Sequence, residues 1–499
     1  MSEAALPLSR SLDDRLNPIL VKEVRQSLRG RFFRWMFALT LLVTTFAGLM
    51  VVTVSASAMG NTRVGPEFFL VIYGCMGAAV LIFVPFSAFL STSSEWDENT
   101  HDLLVLSNLG PGQIVSGKLF SALIQALLYY STFTPFLVAA FLLNGLDLLA
   151  AVVVLVCSAA TCLALSLIGI AVAGLAHTRA MRGVLMAFFG AGLTIAWGVS
   201  IGIVGSLVYD ANELRSDEGQ IAAGVYFMTV LLVGGIAAVI AMARFAHEEE
   251  NRSTPLRVLS LVVVAAGGAW ALWIHSMHAD HEISWVLQLA AAHPLLLMWI
   301  FFLTEPEELG RRASRFAAER PRLAAWSIPL LPGGGRGVLL FGMHALLAVG
   351  SVLALELLWS STRDDVLESV AIVGWFYAYS FVFVALPVGL ANLFWKSGTS
   401  RVLLRVGLVI LWPLLHFLPV LFGMLFGLDG WARWEHPLNV YWVVMELEGS
   451  GGLVEVWPAL FLTTLLGLLA LGLNVPRVLR GIRELLVARR ARRAVRAEA

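Results

Sequence analysis

Residues 94 to 118, SEWDENTHDLLVLSNLGPGQIVSGK, form a polar island between two apolar segments at 68–91 and 119–143. Each apolar segment is longer than the roughly 20 residues that an α-helix needs to cross a membrane. Two membrane-spanning helices joined by this polar stretch are therefore predicted.

The island carries helix signals of its own. Ser94 and Asp97 have the spacing of a capping box, and the acids that follow Ser94 would lie in a first turn, where the helix dipole favours negative charge. The Gly-Pro pair at 110–111 is typical of a helix end. The pattern predicts a short amphipathic helix near 94–109, about 24 Å long, and a second helix from about Gln113 into the next span.

The bulk composition extends this interpretation to the whole chain. Hydrophobic residues make up 59% of the 499 residues, charged residues 14%, and the mean hydropathy is +0.81, which excludes an ordinary soluble domain. An all-α polytopic membrane protein of about twelve spans is predicted. The windows are 36–58, 68–91, 119–143, 149–175, 184–208, 222–243, 257–275, 284–303, 337–359, 366–392, 402–427 and 453–475.

The positive charges predict an orientation, because loops rich in lysine and arginine stay on the cytoplasmic side. With both termini inside, only Arg63, Arg215, Arg363 and Arg433 of the 34 basic residues fall in outer loops. The island is then cytoplasmic. The polar N-terminal stretch has no signal-peptide pattern, and the three cysteines all fall inside predicted spans, where packing roles are expected.

A second amphipathic pattern precedes the first span. Leu20, Val21, Val24 and Leu28 form an apolar stripe, while Asn17 and Pro18 suit a helix start. The basic stripe consists of Lys22, Arg25, Arg29 and Arg31. These residues predict a helix in the membrane interface that attracts anionic lipids. The alternative is a plain basic flank of the first span.

One motif is rejected as a catalytic site. Residues 112–118 match G-x-x-x-x-G-K, the core of a phosphate-binding loop, but Leu119 stands where a serine or threonine must hold magnesium. The segment also continues directly into a predicted span. We therefore expect no nucleotide site and no enzymatic activity in this chain.

The histidines offer weaker patterns. His275, His278 and His281 share one predicted outer loop with Asp280 and Glu282, where a metal site is the alternative to an ordinary polar loop.

Two further histidines, His344 and His416, fall within spans and are expected to form interhelical hydrogen bonds rather than a proton relay. Glu356 lies near the outer end of its span and is expected to reach the membrane interface. The spans are therefore expected to contain no buried charges.

Two further loops are ambiguous. Residues 304–336 place Glu305, Glu307 and Glu308 before a basic run. This loop fits either a decayed second copy of the polar island, able to dock on a partner protein, or a solvated basic loop. Residues 428–452 are rich in tryptophan, which fits either a surface-lying helix or an aromatic belt.

The first half resembles the membrane subunits of ABC transporters, specifically the type-2 exporter permeases. That family has a basic interfacial helix before span one, then a cytoplasmic loop after span two that reads roughly E-x-x-x-G-T-x-x-x-L-L, and a Gly-Lys that opens span three. The matching residues are Asn17 to Phe33, Glu95, Thr100, Leu103, Leu104, Gly117 and Lys118. Asn99 replaces the usual glycine, and the acid that follows the threonine stands at Asp102, so the match is divergent.

The resemblance implies a permease of an exporter in the inner membrane of a bacterium. A separate ATPase subunit would bind ATP and magnesium, and membrane lipids and a second permease chain are further implied partners; nucleic acid is not. The residues expected to contact the ATPase are Glu95, Trp96, Glu98, Thr100, Asp102, Leu103, Leu104 and Leu106. The alternatives are an ATPase-independent transporter or channel, and a membrane scaffold or regulator with a permease fold.

The predicted organisation has four parts. Residues 1–34 are the interfacial helix region, 35–245 a six-span permease-like domain, 246–475 a second six-span domain, and 476–499 a basic tail.

Overall fold

The computed structural model describes residues 17–57, 64–97, 109–143, 146–175, 179–209, 213–246, 251–277, 282–319, 327–359, 363–394, 401, 403–412, 443–444 and 452–498. These residues are almost entirely α-helical, and they include no strand. The chain divides into two compact units, Met1–Glu248 and Glu249–Ala499. The domain boundary predicted from the sequence, between residues 245 and 246, lies close to the boundary between these units.

The described residues of unit 1 form eight α-helices. They are α1 (Pro18–Arg29), α2 (Arg31–Ser57), α3 (Val64–Gly77), α4 (Val84–Asp97), α5 (Pro111–Leu142), α6 (Leu148–Ala173), α7 (Arg179–Tyr209) and α8 (Asp217–Phe245), with a π-helical segment Ala78–Phe83 that joins α3 to α4.

Unit 2 contains seven α-helices among its described residues. They are α9 (Thr254–Met277), α10 (Glu282–Leu303), α11 (Arg311–Glu319), α12 (Gly334–Trp359), α13 (Arg363–Phe394), α14 (Leu403–Trp412) and α15 (Gly452–Glu498).

Eleven helical segments of the described chain are long and apolar enough to cross a membrane. They coincide with eleven of the twelve predicted windows, which confirms a multi-pass α-helical membrane protein. The remaining window, 402–427, lies mostly outside the described residues, and α14 covers the part that is described. Most of the predicted loop 428–452 lies outside them as well.

Local side-chain bonds set several helix starts. The Asn17 side chain accepts a hydrogen bond from the Ile19 amide at 3.0 Å, and Pro18 occupies the first turn of α1, as predicted. Asp147 caps α6 through the amides of Leu149 and Ala150. The bond from Ala150 is the largest reason why the pKa of Asp147 lies below its ordinary value.

The second span is continuous through Ser94, so the predicted helix start at that residue is wrong. Helix α4 runs to Asp97. The Ser94 hydroxyl donates to the Ser91 carbonyl at 2.9 Å, and the Thr92 hydroxyl donates to the Ala88 carbonyl at 2.9 Å. Because these hydroxyls bond back to the preceding helical turn, the polar residues extend the helix instead of capping a new one.

The centre of unit 1 is built around the π-helical segment. Trp197 on α7 donates from its indole Nε1 to the Gly74 carbonyl at 2.9 Å, one turn before that segment. A Cβ atom at Gly77 would lie 3.2 Å from the Trp197 ring. The indole therefore holds α7 against the second span by combining a hydrogen bond with close packing.

Unit 2 depends on close backbone contact between α12 and α15. A Cβ atom at Gly335 would overlap the backbone carbonyl of Arg477. Gly337 is similarly close to α10, because a Cβ there would lie 2.8 Å from the Phe302 carbonyl oxygen. Small residues allow this approach, as is common between membrane helices.

We expect Gly335→Ala to lower the free energy of unfolding by about 1–3 kcal/mol, because backbone atoms cannot move aside as a flexible side chain can. The matched control is Gly342→Ala on the same helix, where nothing lies within 4 Å of the added methyl. That control should be neutral or more stable by up to about 1 kcal/mol. Unfolding of the purified protein in detergent, followed by tryptophan fluorescence, tests the pair, and equal stabilities would contradict the predicted overlap.

Candidate functional site

Helix α1 packs closely on the start of α5. A Cβ atom at Gly117 would lie 2.8 Å from the Cβ of Ile19, so only glycine lets the two helices approach this closely. The Asn17 side-chain amide also donates to the Gln113 carbonyl at 2.6 Å. Helix α1 is thus fixed to the helix that follows the polar island.

A buried ionic cluster lies beside this contact. The Lys118 ammonium is 2.8 Å from a Glu23 carboxylate oxygen and 2.9 Å from a Glu95 oxygen. The Lys22 ammonium lies 2.6 Å from the other Glu95 oxygen. The Ser91 hydroxyl completes the cluster by donating to Glu23 at 2.6 Å. Three helices, α1, α4 and α5, therefore meet through charge-assisted hydrogen bonds.

The charges of this cluster balance. Two ammonium groups face two carboxylates, and the Lys118 side chain is only 2% exposed. Burial alone would raise the pKa of Glu23, but the charge of Lys118 and the hydrogen bonds from Lys118 and Ser91 lower it more. The net pKa of Glu23 lies below its ordinary value, so this carboxyl is ionised at neutral pH.

The end of α4 is held on a second side by Trp96. The Trp96 ring packs against Phe245 with a centroid separation of 6.2 Å, and the Arg244 guanidinium lies 5.6 Å from the Trp96 ring centroid. Arg244 in turn donates to the Gly174 carbonyl at 2.8 Å. The last turn of α4 is therefore fixed to α8 and to the end of α6 as well as to α1 and α5.

The predicted partner-contact residues divide into two groups. Glu95 and Trp96 lie within unit 1, where Glu95 is 5% exposed and engaged by two lysines. The others lie outside the described residues: Glu98, Thr100, Asp102, Leu103, Leu104 and Leu106.

The predicted basic stripe of α1 also divides. Lys22, Arg25 and Arg29 of α1 all line an open surface recess of about 480 Å³, but only Lys22 also belongs to the ionic cluster. Arg31 is the first residue of α2 rather than a part of α1. Ile19 and Glu23 form the buried face of α1.

Sequence analysis did not identify Glu23 as a functional residue. The available signal was an acid within a helix whose other charges are all basic. Such a residue beside an apolar stripe is expected to pair with a cation, but nothing in the local pattern indicates which one.

Unit 2 contains a related ionic cluster in the loop 304–336. The Arg257 guanidinium lies 2.6 Å from Glu305, and the Gly333 amide donates to Glu305 at 2.9 Å. Gly333 has φ +131°, a conformation that favours glycine. Arg257 also donates to the Gly333 carbonyl at 3.0 Å. Glu305 thus joins the start of α9 to the turn that opens α12.

Glu307 has a corresponding role two residues further on. It accepts from the Gly335 amide at 3.0 Å at the start of α12, where the helix dipole favours a carboxylate, and it pairs with Arg477 at 2.8 Å. Arg336 donates to the Gly481 carbonyl at 3.0 Å and pairs with Glu484 at 2.8 Å. For Glu305 and Arg336, the interpretation as a solvated loop is therefore wrong, because tertiary packing closes over both side chains.

The expectation that the spans lack buried charges is also wrong. Arg257, Arg336 and Glu356 are each 0% exposed within helices that belong to the apolar spans. Charges near helix ends become buried because neighbouring helices cover them, and the arginines are balanced by acids from adjacent segments. Glu356 is enclosed by unit 2 instead of reaching an interface.

His344 confirms the predicted interhelical hydrogen bond. The Trp299 indole on α10 donates to His344 Nδ1 on α12 at 3.0 Å. His416, His278 and His281 lie outside the described residues, as do Asp280 and the side chain of His275. Among the residues that are described, no group of three or more potential ligands could hold a metal ion.

The cluster in unit 1 is suited to a mechanical role. It joins the two helices that flank residues 98–108 to each other and to α1. Any force on that segment would therefore be transmitted to α1, α4 and α5 together.

We expect Lys118→Met to lower the free energy of unfolding by about 3–5 kcal/mol, because two carboxylates would be left in a site with little solvent. Lys22→Met is the matched control. The Lys22 side chain is 43% exposed, so its removal should cost only about 0–1 kcal/mol. Unfolding in detergent measures both variants, and a Lys22→Met cost equal to that of Lys118→Met would contradict the assignment.

We expect acid to destabilise unit 1 through Glu23. Because the folded state lowers its pKa, Glu23 contributes its full stabilisation above the unfolded value of about 4.3, and this contribution is lost as the pH falls through the lower folded value. Melting temperatures measured from pH 7 to pH 3 should decline less steeply for Glu23→Gln than for the wild type below about pH 4.3. Parallel profiles would refute the role of Glu23.

No model of a known protein family, no curated protein and no solved structure matches this chain.

Proposed function

We propose that this protein is the membrane-spanning permease subunit of an ATP-driven ABC transporter, with an export direction and a location in a bacterial inner membrane. A separate ATPase subunit would hydrolyse ATP, and the segment that contains residues 98–108 would dock on it. Anionic lipids would contact the basic side of α1, and a second permease chain could complete the transporter.

The observation that carries this proposal is that the separated residues of the family motif meet at the ionic cluster of unit 1. Glu95, Gly117 and Lys118 belong to the motif that resembles the type-2 exporter permeases, and the interfacial helix is its other part. In the folded chain Glu95 and Lys118 are 2.9 Å apart, and Gly117 contacts α1. A resemblance composed of separated residues is more informative when those residues meet in one site.

The geometry also supports a division of labour between the permease and an ATPase. Residues 112–118 lie in the regular helix α5, whereas a nucleotide-binding loop must wrap its amides around phosphates. Lys118 is engaged by Glu23 and Glu95. In the proposed complex, ATP and magnesium therefore bind to the partner.

The mechanism that follows is rigid-body motion. Closure of the ATPase would pull the docking segment, and the cluster would transmit that displacement to α1, α4 and α5 as one body. A buried ion pair suits this role because breaking it is costly, so the helices move together rather than separate.

The interior of unit 2 favours a second candidate, a transporter or channel that needs no ATPase. Glu356 and His344 are both 0% exposed within one span, and ionisable residues inside the membrane often mark pathways for ions or protons. This candidate would assign the transport path to unit 2 and leave the cluster of unit 1 as a structural contact.

Purification of the protein from its native membrane in mild detergent would distinguish the two candidates. We expect an ATPase chain with its own phosphate-binding loop to accompany the protein in stoichiometric amounts. The double variant Leu103→Asp, Leu106→Asp should lower ATPase association at least about tenfold, because apolar anchors dominate such interfaces.

Leu148→Asp serves as the matched control. It makes the same chemical change at an exposed helix start on the predicted outer side, and it should retain the ATPase. Purified protein without an ATPase chain, or full association in the double variant, would contradict the proposed function.

A further inference from the structure

Unit 2 contains a cavity of about 380 Å³ where several of its spans end. Its walls come from the loop after α10, the end of α13, the start of α14 and the middle of α15. Apolar lining comes from Pro306, Val388, Ala391 and Leu404, and the other lining residues are polar or charged. This volume falls in the range of sites for small organic ligands, about 300–1,000 Å³.

Most acids in the wall are already neutralised. Glu305 pairs with Arg257 at 2.6 Å, and Glu484 pairs with Arg336 at 2.8 Å. Glu307 pairs with Arg477, which also lines the cavity. Arg477 directs its other nitrogens to Asn474 and to the Leu303 carbonyl, so its donors are committed to the protein.

Two arginine side chains in the same wall differ from these paired residues. Arg401 and Arg480 line the cavity, and neither forms an ion pair with any other described residue. Both side chains are exposed, as is that of Glu308, the remaining acid of the wall. After the internal pairs are accounted for, the cavity retains two guanidinium groups and one carboxylate.

We propose that this cavity binds a phosphate ester, with Arg401 and Arg480 as its ligands. Guanidinium groups match phosphate oxygens bidentately and are favoured wherever phosphate is recognised. The apolar residues would contact the hydrocarbon part of the ester. Where the ligand carries an ammonium group, Glu308 would form an ion pair with it. Because the lining helices belong to spans that end here, a phospholipid headgroup can reach the site, and so can a small soluble phosphate ester.

This inference concerns unit 2 alone and does not depend on the ATPase proposal. The test measures the melting temperature of purified full-length protein with two probes. One is phosphatidylethanolamine or phosphatidylglycerol in nanodiscs, compared with a glycolipid that lacks phosphate. The other is glycerol phosphate added in detergent, compared with glycerol. Stabilisation by either phosphate probe supports the site, and the probe that acts identifies the source of the ligand.

Arg401→Gln and Arg480→Gln, alone and together, should weaken phosphate-dependent stabilisation, each by about 10- to 100-fold in apparent affinity. Arg483→Gln is the control, since it removes the same charge from an exposed position of α15 that does not line the cavity. The single variants keep the test informative if the double variant does not fold. Absence of any phosphate-dependent shift in the wild type, or an equal loss in Arg483→Gln, would overturn the proposal.

Discussion

Lys118 places an ammonium group in a site almost closed to solvent, and three helices of unit 1 meet where this charge is neutralised. Removing such a charge from water costs several kcal/mol, which only close, hydrogen-bonded counter-ions can offset. Glu23 and Glu95 provide them at 2.8 and 2.9 Å. Because these carboxylates come from α1 and α4, satisfying one lysine fixes the positions of three helices.

The same constraint operates in unit 2 with arginine in place of lysine. Arg257 and Arg336 are completely buried, and each pairs with an acid from another element. The planar guanidinium has five donors, so one arginine also satisfies several carbonyl groups in the turns around it. In both units, an acid near the end of the second span contacts the far end of the loop that follows. Glu95 does so in unit 1 by pairing with Lys118 of α5. In unit 2, Glu305 accepts a hydrogen bond from the Gly333 amide in the turn that opens α12.

The positions of the spans could be predicted from the chain because a membrane imposes a strong, local requirement on roughly twenty consecutive residues. The cap at Asn17 was predictable for a similar reason, since its partner, the Ile19 amide, lies two residues away. The helix start at Ser94 was predicted wrongly. Its spacing to Asp97 fits a cap, but the hydroxyl bonds back to Ser91, and only the preceding helical turn decides between these outcomes.

The sequence by itself therefore determined the class of the protein, the spans that are described and the helical nature of α1. Only the tertiary structure decided which charges are buried and with which partners. Lys118 and Glu23 are separated by 95 positions, and no periodicity in the chain relates them. Their pairing follows from the close approach of α1 to Gly117, a property of how the helices pack rather than of any local pattern. Glu356 shows the same limit, because its burial depends on the helices that surround it.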